Sequence, residues 1–248
     1  MGLLAKPYLQ RITALFGDDV DWERHPYRVP AVRDLSSLDF HPDVTFFIGE
    51  NGAGKSTLLE AIALALGFSI DGGSRNVFNL NTAQEAAPLF QSLRLSKSFK
   101  TPRDRYFFRA ESFHNVATRL DELDERSAAS VKSLHARSHG EAFMSVLVDT
   151  FRGNGLYLLD EPEAALSPNR QLAALRVIDQ LVRQESQFII ATHSPILLAY
   201  PNAKILLFDG TGITEVAYED TEHYAVTRDF LNHYPKRLEQ LLDQDADG

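Results

Sequence analysis

Four short apolar runs mark the chain: VTFFIG at 44–49, LYLLDEP at 156–162, QFIIATHS at 187–194 and KILLFDG at 204–210. None alternates apolar with polar positions, as a strand with one wet face would, so each reads as a strand buried on both faces. Stretches of helical character separate most of them, at 56–68, 138–151 and 170–184. Such strands joined by helices predict an α/β fold with a largely parallel central sheet covered on both sides. In FDGTGITEV, Asp209-Gly210 and Gly212 supply turn residues, which predicts a hairpin. The residues up to about 40, rich in Tyr, Val, Ile and Pro, read as further strands and loops, an N-terminal antiparallel β subdomain. The polar segment 112–137 suits a small helical lobe, and 222–248 suits one or two surface helices ending in a frayed acidic tail. There is no internal repeat and no heptad run.

Composition narrows this picture. With 248 residues and 44% hydrophobic content, the chain can bury a substantial core. It has no cysteine, which excludes disulfides and cysteine-based metal sites. MGLLAKPYLQRITALF is interrupted by Gln10 and Arg11 before it could form a signal peptide, and no run approaches the ~20 apolar residues of a membrane span. The expectation is a soluble, cytoplasmic protein with no membrane insertion. A net charge of −9 disfavours a broadly basic, nucleic-acid-coating surface. One basic stretch departs from it, RLSKSFKTPRDRYFFRA, with Arg94, Lys97, Lys100, Arg103, Arg105 and Arg109. It reads either as a solvated strand pair with its turn or as a contact patch for nucleic acid or an acidic partner.

The chemistry concentrates after the first apolar run. Gly49-Glu50-Asn51-Gly52-Ala53-Gly54-Lys55-Ser56 matches G-x-x-x-x-G-K-[ST] in full, between an apolar strand and an apolar helix, with Thr57 next in line as a further nucleotide contact. The glycines let backbone N–H groups turn toward phosphate oxygens, Lys55 brings a charge to the β- and γ-phosphates, and Ser56 offers a hydroxyl to Mg²⁺. ATP and Mg²⁺ are the expected ligands. The second run ends in Asp160-Glu161. Alone, this pair could simply open a helix, since acids favour a first turn. Beside a phosphate loop, Asp160 suits a Mg²⁺ contact and Glu161 suits orienting or deprotonating the attacking water. The third run ends in Thr192-His193, which would reach the same sheet edge, where parallel α/β sheets bind ligands. His193 therefore reads as a γ-phosphate sensor or water-positioning residue.

One more stretch has two readings. In ARSHGEAF, Ser138 can cap a helix with Glu141 reaching back three residues later, a structural role sufficient in itself. Taken with the loops above, the order of motifs resembles the ABC-type ATPase superfamily: Walker A at 49–56, a signature at 138–141, Walker B at 156–161, a D-loop-like AALSP at 164–168 and a switch histidine at His193. The resemblance implies a P-loop ATPase head in a single domain, 1–248, with a core lobe of 1–111 and 152–248 and a helical lobe of 112–151. It also implies an ATP-dependent homodimer in which Ser138, Gly140 and Glu141 of one chain complete the nucleotide site of the other.

Transporter subunits of that superfamily typically carry LSGGQ, DEPTSALD and THD. Here Arg137, His139 and Glu141 depart from the first, Glu163 and Ser167-Pro168 from the second, and Ser194-Pro195 follow His193. These choices resemble the SMC-like, RecF-like and OLD-like branch and small stand-alone bacterial AAA-family ATPases. That branch implies a nucleic-acid or a defence or repair protein partner. The alternatives are an ABC transporter's ATP-binding subunit and an ATP-gated clamp with vestigial hydrolysis. No glutamine occupies the Q-loop position, where Glu111 is the stand-in for metal contact. Tyr27 is the candidate for adenine stacking, against the plainer reading of a half-buried tyrosine.

Overall fold

The computed structural model describes residues 6–68, 87–110 and 143–243. Its centre is a six-stranded sheet built from β3 (Val44–Gly49), β5 (Asp104–Arg109), β6 (Gly155–Asp160), β7 (Gln187–Ala191), β8 (Lys204–Asp209) and β9 (Gly212–Val216). The spatial order is β5-β6-β7-β3-β8-β9, parallel except for β9, which returns antiparallel from β8 as the expected hairpin. A separate three-stranded antiparallel sheet, β2-β1-β4, comprises β1 (Leu9–Ala14), β2 (Ser37–Asp39) and β4 (Leu93–Lys97).

The continuous apolar runs follow from burial on both faces. Every residue of β3, β6 and β7 is buried. Successive side chains alternate between two cores, as the period of a strand requires. Phe47, Leu158, Ile189 and Phe208 face a core shared with α2 (Lys55–Ala65) and the antiparallel sheet. Phe46, Leu159, Ile190 and Ile205 face a second core, closed by α4 (Pro168–Arg183) and α5 (Pro195–Leu198). Short α1 (Pro30–Arg33) and α3 (Ala87–Gln91) complete the first layer. Thus the N-terminal region, expected to hold only strands and loops, also has one helical turn, opened by Pro30 at its first position.

Two expectations are corrected here. β4 and β5 are not a strand pair: β4 joins β1, far away in sequence, while β5 forms the edge of the central sheet. The basic patch also loses a member. Arg109 Nη2 lies 2.7 Å from Glu60 Oε1 with its side chain largely buried, whereas Arg94, Lys97, Lys100 and Arg103 are exposed. Of the expected helical lobe, only its end is described. The chain enters at Phe143, packs that ring 4.5 Å from Phe108, and passes through a π-helical turn at Val146–Thr150.

The C-terminal α6 (Glu222–Asp243) is kinked at His233, two residues before Pro235, which cannot donate the helical hydrogen bond to the preceding turn. No described helix is long and apolar enough to cross a membrane.

One buried amide joins the two sheets. Gln187, the first residue of β7, is fully buried. Its Oε1 accepts from the Leu9 N–H at 3.0 Å, and its Nε2 donates to the carbonyls of Leu9 at 2.9 Å and His41 at 3.0 Å. Gln187→Leu keeps the volume but leaves those backbone groups without partners, at a cost of about 3 kcal/mol. A urea-unfolding midpoint unchanged by this substitution would refute the bridge.

Candidate nucleotide-binding site

Parallel pairing brings the chemically loaded residues to one edge. Asp160 stands opposite Ala191, Ala191 pairs in the same sheet with β3, and Gly49 stands opposite Phe208. The segments leaving β3, β6 and β7 therefore emerge side by side at the carboxyl edge. The segments leaving β3 and β7 border a cleft of about 1000 Å³, lined by Gly49–Ala53, His193, Asp209 and the Asp220–His223 corner.

Gly49 can only be glycine. Its φ is +138°, and a Cβ placed on it would lie 2.1 Å from the Phe208 carbonyl oxygen of the neighbouring strand. Gly54 (φ +99°) makes the left-handed turn into α2, where Lys55, Ser56 and Thr57 form the first turn. The Lys55 ammonium donates to the carbonyls of Gly49 at 2.8 Å and Glu50 at 2.9 Å, so it lies within the loop it serves. Burial lowers its pKa, opposed by Glu161 and Asp160. The Ser56 hydroxyl donates to Asp160 Oδ1 at 2.9 Å. This hydroxyl and carboxylate are hard oxygen donors, the kind Mg²⁺ takes together with phosphate oxygens and water. Among the described residues there is no group of three or more His, Asp or Glu placed to hold a metal.

Glu161 follows directly and holds its N–H on the Ala191 carbonyl at 2.9 Å. Its carboxylate Oε1 is 3.9 Å from His193 Nε2, and both side chains are partly exposed. His193 sits below its ordinary pKa because of burial and then the Lys55 charge, with Glu161 acting in the opposite direction. The structure thus brings together Gly49, Asn51, Gly52, Gly54, Lys55, Ser56, Thr57, Asp160, Glu161 and His193. Ser138, Gly140, Glu141 and Glu111 lie outside the described residues. Tyr27 does not line the cleft. It is 9% exposed and packs edge-to-face on Phe16 and Trp22, so the plainer reading holds and adenine stacking does not.

Sequence reasoning missed the residues that position the switch loop. Glu163 Oε1 accepts the His193 backbone N–H at 2.5 Å, and burial raises the carboxyl's pKa against that bond. Ser194 caps α5 by accepting from the Ile196 and Leu197 N–H groups. Its hydroxyl also donates to Gln171 Oε1 at 2.5 Å, while Gln171 Nε2 donates to the Leu166 carbonyl at 3.1 Å. The segment 163–171 and the histidine loop are therefore tied together twice. The signal for Glu163 was visible only as a departure from the transporter pattern.

Two family models match the chain: "AAA domain" over residues 27–135, and "AAA domain, putative AbiEii toxin, Type IV TA system" over 87–199. The Hemin import ATP-binding protein HmuV of Nocardia farcinica is 29% identical over 247 residues, covering 91% of this chain and 84% of that protein. The Cobalt import ATP-binding protein CbiO of Salmonella typhi is 27% identical, with 82% and 83% covered. Among solved structures, CbiO1 from Clostridium perfringens aligns at TM-score 0.47 and 17% identity over 95% of this chain and 99% of that one. Beside the phosphate loop, the acid and the histidine, these likenesses are to AAA domains and to ATP-binding proteins of import systems.

Proposed function

We propose that the chain hydrolyses ATP and closes as a homodimer around Mg-ATP, one domain of core and helical lobes per copy. The observation that carries this reading is the Ser56–Asp160 hydrogen bond, which joins the phosphate loop to the acidic strand end beside Glu161 and His193. In this scheme the loop amides and Lys55 bind the β- and γ-phosphates. Ser56 and Asp160 would hold Mg²⁺, which when bound neutralises phosphate charge. Glu161 orients the attacking water and accepts its proton, and His193 donates toward the γ-phosphate. Ser138, Gly140 and Glu141 of the second copy would complete the site, with Glu111 as the Q-loop stand-in.

The backbone of Glu161 supports a role for that side chain. Its φ of +49° and ψ of +49° are left-handed, a conformation costing a non-glycine residue roughly 1 kcal/mol. Glu161→Gly should relieve this strain, leaving the fold as stable as wild type or more so by up to ~1 kcal/mol, while removing hydrolysis. Marked destabilisation in a thermal melt would contradict the strain assignment.

The main test combines turnover with sedimentation. Lys55→Ala should weaken nucleotide binding, and Glu161→Gln should keep binding but slow turnover by 10²-fold or more, roughly the worth of a general base. Mg-ATP should trap the Glu161→Gln protein as a dimer, and adding Ser138→Arg should return it to monomer, since only an intact triphosphate bridges both copies. Equal turnover of wild type and Glu161→Gln, or a monomer under every condition, overturns the reading.

For the partner we favour nucleic acid or a defence or repair protein, on the departures from the transporter motifs and the exposed Arg94, Lys97, Lys100 and Arg103. Lys97→Glu with Arg103→Glu should reduce DNA or RNA retention at ~50 mM salt, because phosphate contacts release counterions. Retention unchanged by the pair counts against it. Similarity to HmuV and CbiO favours a second reading, the ATP-binding subunit of an importer.

A further inference from the structure

The corner where α6 begins carries a histidine that the proposed scheme does not use. Thr221 is buried and caps α6: its Oγ1 accepts the Tyr224 N–H at 3.2 Å and donates to the Tyr218 carbonyl at 2.7 Å. Tyr218 in turn donates its hydroxyl to the Pro195 carbonyl at 2.8 Å, two residues beyond His193. The Tyr218 and Tyr224 rings pack 4.8 Å apart. The start of α6 is thereby fixed to the loop that carries the switch histidine. This placement sets His223 Nε2 3.3 Å from His193 Nδ1, and both rings line the nucleotide cleft.

Burial lowers the pKa of both rings, helped by Lys55 at His193 and by His193 at His223, which favours the neutral form of each. A hydrogen bond between two neutral imidazoles needs one N–H and one lone pair, which leaves two arrangements. If His193 Nδ1–H donated, His193 Nε2 would turn a lone pair toward the Glu161 carboxylate 3.9 Å away, a repulsive encounter. If His223 Nε2–H donates, His193 carries its proton on Nε2, aimed at that carboxylate. His193 Nε2 and His223 Nδ1 are buried without hydrogen-bond partners among the described residues, so nothing else there decides the tautomer.

We infer that His223 is a positioning residue: its Nε2–H holds His193 as the Nε2–H tautomer, with its ring turned so that it donates to the γ-phosphate side of the cleft. The inference rests on reading the cleft as an ATP-hydrolysis site. It gives the first turn of α6 a direct bearing on turnover, with no contact to the reacting atoms.

The test has two arms. Ring-nitrogen NMR of the nucleotide-free protein, with His193→Gln for assignment, should show His193 protonated at Nε2; protonation at Nδ1 overturns the inference. In steady-state ATPase assays, His223→Phe should lower kcat about 10-fold, as loss of alignment does, with KM and nucleotide affinity unchanged. His223→Gln, whose amide N–H₂ can occupy the Nε2–H position, should recover most of that loss. In a His193→Gln background, His223→Phe should cost nothing further, because the two act as one unit. Unchanged kcat in His223→Phe, equal losses in Phe and Gln variants with intact thermal melts, or a full additional loss on top of His193→Gln each overturn it. A wild-type protein without ATPase activity would defeat the reading of the site, while the NMR arm would still decide the tautomer.

Discussion

The site depends on the parallel pairing of β3, β5, β6, β7 and β8. Antiparallel neighbours would send alternate strand ends to opposite edges; parallel ones deliver every carboxyl end to one edge. The phosphate loop at 49–56, the acidic pair at 160–161 and the switch histidine at 193 meet for that reason. Parallel strands need covering helices on both faces, and the two hydrophobic cores supply the cover. Burial at the sheet edge also lowers the pKa of Lys55 and His193.

Local constraints then refine what the sheet delivers. Gly49 allows β3 and β8 to approach where a Cβ would strike a carbonyl oxygen. Ser56 ties the loop to Asp160, and Glu163 ties the histidine backbone to the segment after the acidic pair. Each bond crosses between elements that the sheet has already aligned, so a small number suffices to fix the cleft.

Much of this was legible in the sequence. The apolar runs marked β3, β6, β7 and β8 to within a few residues because both faces are buried. The phosphate loop was legible because only glycine allows its backbone path. What escaped was long-range pairing of polar segments. The basic run around Lys97 and Arg103 looks continuous, yet Leu93 and Leu95 pair with β1 while Tyr106–Phe108 enter the central sheet. Nothing local specifies such a choice. Arg109 was read as part of a charged surface, but its partner Glu60 comes from a distant helix. His223 looked like an ordinary surface-helix residue, because its neighbour His193 is thirty positions away and the cap that places it depends on Tyr218 reaching Pro195.

The Gln187 bridge has a consequence for how the molecule opens. A small three-stranded sheet at the edge of a larger domain would ordinarily fray first, exchanging its amide hydrogens through its own local opening. Here the Leu9 amide is held by a side chain rooted in the innermost strands, so β1 cannot detach without exposing a buried carboxamide and the backbone groups it serves. The two sheets are thereby coupled into one cooperative unit. Exchange at Leu9 should report the opening of the nucleotide-binding core rather than that of its own strand, although the cleft lies at the opposite end of β7.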